Sequence, residues 1–310
     1  MKLIIQIPCF NEQETLSATI KDLPKKIKKI KKIEILVIDD GSSDKTVDIA
    51  KKNGVHHIVS HKKNQGLARA FETGLRESIS LGADIIVNTD ADNQYYGSDI
   101  EKIINPIISN KADIVIGSRP IKEHKEFSLL KKFLQYIGSY VVRFLSFTDV
   151  KDAPSGFRAY SRIAAQKIHV FSNYTYTLET IIQAGHSGLN IISVPIRVNK
   201  QTRPSRLFKG NFQYIRRSIF TMIRSFAIYR PFRFFGFIGI FFVFIGIAPL
   251  LKFIYLYIYG DASGHIQSLI FGSLFLSLGV FTIIFSFLCD LISVNRKLLQ
   301  KINDRLSDEN

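Results

Sequence analysis

Two aspartates with one residue between them follow a short apolar run in the first third of the chain. Asp90 and Asp92 come directly after residues 85–89, a run rich in β-branched side chains that predicts a buried strand. Two carboxylates in this arrangement can hold a hard divalent cation such as Mg²⁺ or Mn²⁺, which prefers oxygen ligands and often bridges phosphates. The side-chain carbonyl of Gln94 could add a further oxygen. Polar loops also contain Asp-x-Asp by chance, so the pair alone does not establish a metal site.

A second acidic cluster, from Asp39 to Asp44, follows another predicted buried strand at residues 33–38. One of its carboxylates could hydrogen-bond a nucleobase edge or a ribose, and Gly41 allows a sharp turn. A turn followed by a helix cap at Ser43 or Asp44 accounts for the same residues without a ligand. The histidines show no zinc spacing, and no glycine-rich phosphate-binding motif occurs. Any phosphate must therefore be held by a metal ion and basic side chains.

Alternating strand and helix patterns place both clusters. The sequence predicts strands at 3–7, 33–38, 57–60 and 85–89, and helices at 12–23, 44–53 and 66–81. This alternation predicts an α/β domain with a mainly parallel sheet. Ligands of such sheets bind beyond the carboxyl ends of the strands, where Asn11, Glu12 and the two acidic clusters are expected.

The C-terminal third predicts a membrane anchor. Two apolar stretches, residues 234–259 and 266–288, are long enough to span a bilayer, and residues 212–233 predict a basic amphipathic helix in the membrane interface. The formal net charge is +16, and no Asp or Glu occurs between Thr180 and Gly260. Because the basic residues gather just before the apolar stretches, we expect anionic membrane lipids, and not nucleic acid, as the partner of this charge.

The distribution of basic residues also predicts an orientation. They flank the outer ends of the two spans, whereas the connecting loop, residues 260–265, has none. The positive-inside rule then predicts a multi-pass cell-membrane protein with its N-terminal domain in the cytoplasm. We divide the chain into a catalytic domain at 1–210, a juxtamembrane helix at 211–233, a two-helix transmembrane region at 234–292 and a charged cytoplasmic tail at 293–310.

Six short motifs occur in the order and approximate spacing of a known family. They are Pro8-x-x-Asn11-Glu12, Val37-Ile38-Asp39-Asp40-Gly41-Ser42-x-Asp44, Asn64-x-Gly66, Asp90-Ala91-Asp92-x-Gln94, Gly117-Ser118-Arg119 and Ser155-Gly156-Phe157-Arg158. Together they resemble the family 2 glycosyltransferases, and among these the polyprenyl-phosphate (dolichol-phosphate mannose synthase-like) branch. The resemblance covers roughly residues 1–210, and the paired C-terminal spans are similar to those of bacterial members.

The resemblance implies a GT-A fold and inverting transfer of a sugar from a UDP- or GDP-linked donor to a polyprenyl phosphate, with Mg²⁺ or Mn²⁺ as cofactor. It assigns the nucleotide to Pro8, Asn11, Glu12, Gly66 and one of Asp39 and Asp40, and the metal and diphosphate to Asp90, Asp92 and Gln94. Arg119 is expected near the donor phosphates, and the acceptor phosphate is assigned to Lys132, Ser155, Arg158, Arg203 and Arg206. The chain departs from the family at Asn93 and Tyr95-Tyr96, which replace an apolar residue and His-x-Pro, and at Lys132, where relatives tend to have Arg.

The acceptor decides which other residues the reaction needs. A phosphate acceptor is already anionic near pH 7 and needs no general base, whereas a hydroxyl acceptor needs one. Asp152 is a candidate base, although orienting Arg158 or a loop is the better interpretation.

Other functions were weighed against the same residues. A processive polysaccharide synthase would carry a Gln-x-x-Arg-Trp motif, and this chain contains no Trp. Transfer to a hydroxyl of a lipid-linked saccharide and a non-catalytic nucleotide-binding membrane protein stay open, as does assembly into a homo-oligomer.

Overall fold

The structure, a computed structural model, describes residues 1–120, 129–170, 176–199, 211–260 and 266–308. It divides into two compact units, Met1–Met222 and Ile223–Asn310. The predicted domain limits at residues 210, 233 and 292 stay predictions.

The first unit contains one seven-stranded sheet in the order β3-β2-β1-β4-β6-β5-β7. Only β6 runs antiparallel to its neighbours, which confirms the mainly parallel α/β prediction. The strands are β1 Lys2–Cys9, β2 Lys32–Asp39, β3 His57–Ser60, β4 Ile85–Asn88, β5 Ile114–Ser118, β6 Arg158–Ser161 and β7 Ile191–Pro195.

Seven helices of the first unit follow or connect these strands, and an eighth spans the division between the units. They are α1 Leu16–Asp22, α2 Thr46–Lys52, α3 Leu67–Ser80, α4 Ile100–Ile108, α5 Leu129–Ser146, α6 Arg162–Lys167, α7 Thr177–His186 and α8 Asn211–Tyr229. Helix α1 begins later than the predicted residue 12. Residues 13–15 form a turn instead, in which the Glu12 carbonyl accepts from the amides of Thr15 and Leu16.

The central strands bring the site loops together. Strand β1 is buried along almost its whole length, as expected for a strand covered on both faces. The strand has one buried side-chain carboxamide, that of Gln6, whose Nε2 donates to Asn88 Oδ1 over 2.9 Å. The register pairs Cys9 with Asp39 and Gln6 with Asn88, so β1, β2 and β4 end side by side. The loops that follow these strands therefore share one edge of the sheet.

The second unit contains two long helices, α9 Pro231–Tyr259 and α10 Ile266–Asp308. Residues Pro231–Tyr259 and Ile266–Arg296 are long and apolar enough to cross a membrane, in agreement with the two predicted spans. The helices pack closely at two glycine pairs: a Cβ on Gly246 would lie 2.7 Å from the Gly272 carbonyl, and one on Gly279 would lie 2.7 Å from the Gly239 carbonyl. The charged tail predicted after residue 292 continues α10. The interfacial role predicted for α8 stays a prediction.

Candidate functional site

The loops after β1 and β2 are joined by hydrogen bonds. Asn11 adopts a left-handed backbone conformation with φ 56°, which Asn tolerates better than most residues. Its Oδ1 accepts from the Ser43 amide over 2.9 Å, and its own amide donates to Ser42 Oγ over 2.9 Å. Glu12 and the buried Pro8, both assigned to the nucleotide by the sequence, belong to the same stretch. The structure therefore brings these residues together with the Asp39–Asp44 cluster.

Asp39 and Asp40 are both buried but differ in their partners. Asp40 accepts from the amides of Gln65 and Gly66, each over 2.8 Å, and its Oδ1 lies 2.7 Å from His61 Nδ1. It thus closes the loop that leads into α3. Asp39 Oδ1 accepts from the Ser42 amide over 3.1 Å. Asp39 is consequently the better placed of the two to receive a ligand.

Gly41 explains how the neighbouring loop comes so close. Its φ is +72°, in the left-handed region that favours glycine. A Cβ at this position would lie 2.7 Å from the Lys63 carbonyl carbon and 2.8 Å from the Asn64 nitrogen. The three loops after β1, β2 and β3 therefore form one continuous wall.

The predicted metal-binding pair lies in the loop after β4. Asp90 is half-buried and accepts a hydrogen bond from the Tyr95 hydroxyl, and Asp92 Oδ1 accepts from the Gln94 amide over 3.1 Å. Burial, followed by the charge of Asp92, raises the pKa of Asp90 to about 7 against the opposing charge of Arg119. The backbone of Gly156 closes over Asp90, because a Cβ there would lie 2.9 Å from Oδ1.

This pair fits a divalent cation that is shared with a phosphate ligand. Two carboxylates that disfavour each other's charge are both stabilised by a cation between them. Across the described parts of the chain, no group of three or more His, Cys, Asp or Glu side chains could hold a metal ion. At phosphate sites, Mg²⁺ usually keeps several waters and takes further ligands from the phosphate itself. The role of Gln94 as a third ligand stays a prediction.

Arg119, at the end of β5, is held by Asp152. Its Nε and Nη2 donate to the two carboxylate oxygens over 2.7 and 3.0 Å, and its backbone amide donates over 3.2 Å. Burial disfavours its charge, but Asp152 and then Tyr95 outweigh this effect and raise the pKa of Arg119. Asp152 was expected to orient Arg158 or a loop, and its bonds to Arg119 include one to the backbone amide of that residue. The carboxylate orients Arg119, 33 residues away along the chain.

Arg158 is fully buried and holds the loop that precedes it. Its guanidinium donates to the carbonyls of Ser155 and Ala153, each over 2.7 Å, and to Thr180 Oγ1 over 2.8 Å. Three of its five N–H donors are used in these bonds, so Arg158 shapes this loop, and its assignment to the acceptor phosphate stays a prediction. The Ser155 hydroxyl is buried and has no hydrogen-bond partner among the described residues, which leaves it able to donate to a ligand.

Some site residues lie outside the described part of the chain, and others were missed by the sequence. Arg203 and Arg206 fall among residues 200–210, and the side chain of Lys132 is also not described. The sequence did not predict the contact of Tyr95 with Asp90. It also missed the segment after β7, where Arg197 pairs with Asp99 at 2.7 Å and Asn199 contacts the loop after β4. No spacing signal links residues about a hundred positions apart.

Comparisons with known proteins agree with this geometry. The model of the family described as "Glycosyl transferase family 2" matches residues 4–169. The UDP-N-acetylglucosamine–dolichyl-phosphate N-acetylglucosaminyltransferase of Methanococcus voltae is 34% identical, over 62% of this chain and 83% of its own length. The undecaprenyl-phosphate mannosyltransferase of Micrococcus luteus is 26% identical, over 68% of this chain and 89% of its own.

Among solved structures, the fold is similar to that of glucosyl-3-phosphoglycerate synthase from Mycobacterium tuberculosis, determined with Mn²⁺, UDP and glucosyl-3-phosphoglycerate. The TM-score is 0.58 at 17% identity, and the match covers 73% of this chain and 80% of the synthase. At this level of identity the likeness concerns the fold.

Proposed function

Since the chain belongs to glycosyl transferase family 2, we propose that it transfers a sugar from a nucleotide-sugar to a polyprenyl phosphate at a membrane surface. One observation carries the proposal. The half-buried Asp90–Asp92 pair lies close enough to the Asp152-held guanidinium of Arg119 for their charges to interact, at one edge of a GT-A sheet. Two relatives named for polyprenyl-phosphate acceptors and the two membrane-length helices support the acceptor class.

We assign the metal to Asp90 and Asp92, with Mg²⁺ or Mn²⁺ as the ion. A bound cation would neutralise the charge that develops on the diphosphate leaving group. The protein's own contribution is to keep both carboxylates in place. Tyr95 and the backbone of Gly156 hold Asp90, and the Gln94 amide holds Asp92. The similar synthase structure, which contains Mn²⁺, supports this assignment.

We assign the nucleotide to the wall formed by the loops after β1, β2 and β3. Asp39 is the proposed contact to the base or ribose, because Asp40 already accepts the Gln65 and Gly66 amides. Pro8, Asn11, Glu12 and Gly66 would then line the pocket. Whether the nucleotide is UDP or GDP depends on pocket shape, and a donor panel distinguishes them.

Arg119 is assigned to the donor phosphates, and the acceptor phosphate would attack the sugar of the donor held there. A phosphate carries its own negative charge near pH 7 and can attack without losing a proton to the protein. This suits a site in which Asp152, the candidate base from the sequence, is bound on both oxygens by Arg119. A hydroxyl acceptor needs a base, so the geometry favours the phosphate. The Ser155 hydroxyl could donate to the same phosphate, and Lys132, Arg203 and Arg206 stay proposed contacts.

The two long apolar helices make this a membrane protein, in keeping with its lipid-phosphate transferase relatives. We further propose that the catalytic unit is cytoplasmic, that the basic residues of α8 contact anionic lipids, and that the membrane is the cell membrane. The proposal rests on the positive-inside rule, because Lys and Arg flank the outer ends of the spans. Self-association is compatible with this arrangement.

A donor panel tests the proposal. Purified protein in detergent is incubated with Mn²⁺, polyprenyl phosphate and each of several UDP- and GDP-sugars, and the lipid product is followed by mass. We expect one nucleotide-sugar to give a glycosylated lipid phosphate. Chelation of the metal, or Asp92→Ala in a protein that still folds, should abolish the product. Full activity of Asp92→Ala would refute the metal assignment.

A further inference from the structure

The segment after β7 is fastened to the loop that carries the metal-binding aspartates. We call residues 90–95 the metal loop. Tyr95 forms an isolated antiparallel bridge with Val198, and the Asn199 amide donates to the Gln94 carbonyl over 2.8 Å. The side chain of Asn199 adds a second bond, because its Nδ2 donates to the Asn93 carbonyl over 2.9 Å. A single residue outside the metal loop therefore holds two of its carbonyl groups.

The second of these bonds reaches Asp92 through one peptide group. The Asn93 carbonyl and the Gln94 amide belong to the same planar unit, so fixing one end fixes the other. The Asn199 carboxamide binds the carbonyl end, and the amide end donates to Asp92 Oδ1 over 3.1 Å. A hydrogen bond accepted at the carbonyl also polarises the N–H of the same peptide and strengthens its bond to the carboxylate.

The backbone at Asn93 needs such support. Its φ is 55°, in the left-handed region that few side chains other than Asn and Asp adopt readily. Conformations of this kind persist where the surrounding structure holds them. Two other bonds lie near this peptide: the Ala91 carbonyl accepts from Thr19 Oγ1, and just beyond the metal loop the Gly97 amide donates to Asp22. Neither one fixes the Asn93–Gln94 peptide.

We propose that Asn199 is a positioning residue for the metal. Through the Asn93–Gln94 peptide, its carboxamide sets the direction in which Asp92 presents its carboxylate to the cation. The inference rests on the proposed function only in taking Asp90 and Asp92 as the metal ligands. Partners of metal ligands typically change metal affinity by about 10- to 100-fold when they are removed.

A separate ion pair keeps Asn199 in place without its side chain. Arg197 donates to both oxygens of the fully buried Asp99, over 2.7 Å from Nη2 and 2.7 Å from its backbone amide. Its guanidinium also lies over the Tyr96 ring at 4.8 Å and donates to Ser98 Oγ. Substitution of the Asn199 side chain should therefore leave the backbone of residues 197–199 where it is.

The test measures Mn²⁺ binding by the full-length protein in detergent, from the loss of the free-Mn²⁺ paramagnetic resonance signal. The variants are Asn199→Ala, Asn199→Ser and Asn199→Leu, the last of which keeps a similar volume but cannot donate. We expect the Mn²⁺ dissociation constant of Asn199→Ala and of Asn199→Leu to be about 10- to 100-fold higher than that of the wild type. Their unfolding midpoints should stay close to that of the wild type. Asn199→Ser keeps a short donor, and its dissociation constant should fall between those of these two and the wild type, so either Asn199→Ala or Asn199→Leu, if it unfolds like the wild type, decides the result.

Ser98→Ala is the matched control, since it removes an exposed hydrogen bond of the same segment that does not touch the metal loop. Its Mn²⁺ affinity should equal that of the wild type. Asn199 variants within twofold of the wild type, or a wild-type protein that binds no Mn²⁺, would overturn the proposal. No sugar transfer enters this measurement. A wild type that binds Mn²⁺ tightly but glycosylates no lipid phosphate would count against the proposed function and leave the role of Asn199 standing.

Discussion

A single methyl group added at Gly156 should displace the metal-binding pair. The Cβ of Gly156→Ala would lie 2.9 Å from Asp90 Oδ1, 3.0 Å from Oδ2 and 3.2 Å from the Tyr176 hydroxyl. The backbone cannot easily retreat, because the Gly156 carbonyl accepts from Asn88 over 2.9 Å and its amide donates to the Tyr95 hydroxyl. Since ordinary contact begins near 3.4 Å, the carboxylate must move by roughly half an ångström.

The size of the effect follows from that displacement. Overpacking a buried site costs about 1–3 kcal/mol of stability, and a misplacement of about 1 Å can slow a reaction about 100-fold. We therefore expect kcat for sugar transfer to fall by about 10- to 100-fold, which corresponds to about 1.4–2.7 kcal/mol of barrier.

The assay compares kcat at saturating donor for Gly156→Ala and Gly138→Ala. A Cβ at Gly138, in α5, meets no atom within 4 Å. The control should keep the wild-type rate and gain up to about 1 kcal/mol of helix stability. Wild-type kcat in Gly156→Ala, with Mn²⁺ affinity also unchanged, would show that Asp90 is not where the reaction needs it.

Three further predictions concern other parts of the chain. Asp152→Asn leaves the Arg119 guanidinium, which is only 12% exposed, without its counter-charge. The free energy of unfolding, measured by chemical denaturation in detergent, should therefore fall by about 3 kcal/mol. An unchanged free energy of unfolding would contradict the pairing. Gly239→Leu and Gly246→Leu should lower the thermal unfolding midpoint, because a Cβ at either position would lie 2.6 Å from an atom of α10. Gly236→Leu is the control and should keep the wild-type midpoint, because a Cβ there meets no described atom within 4 Å. The same midpoint in all three variants would argue against the packing of α9 on α10. Burial opposes the charge of Glu34, but hydrogen bonds from Lys2, Lys32 and His57 lower its pKa to about 2. A pKa that is lower in the folded than in the unfolded protein stabilises the fold at pH values above the unfolded pKa. The free energy of unfolding of the wild type should therefore exceed that of Glu34→Gln by its full amount above about pH 4.5, and by less as the pH falls towards 2. A difference between the two proteins that does not change with pH would refute this.

The strands and the site loops could be predicted because their signals are local. An apolar run that ends in a polar cluster marks both a strand and the ligand edge of a parallel sheet. The strand predicted at 33–38 spans Lys32–Asp39 in the structure, and the strand predicted at 57–60 spans His57–Ser60. The six motifs added the family, which the comparisons confirm.

The contacts between distant segments could not be predicted in this way. Asp152 was associated with Arg158, six residues away, but β6 and β5 are neighbours in the sheet and the carboxylate reaches Arg119 at the end of β5 instead. Asn199 and Asn93 are 106 residues apart, and only the folded sheet brings them together.

The central claim is that a lipid phosphate, and not a hydroxyl, attacks the donor. The direct measurement is the phosphorus-31 spectrum of the lipid product made from polyprenyl phosphate and the active nucleotide-sugar, with polyprenol as the control acceptor. The account predicts that the phosphomonoester signal is replaced by that of a phosphodiester and that polyprenol gives no product. A glycosylated lipid that keeps its phosphomonoester, or equal transfer to polyprenol, would contradict it.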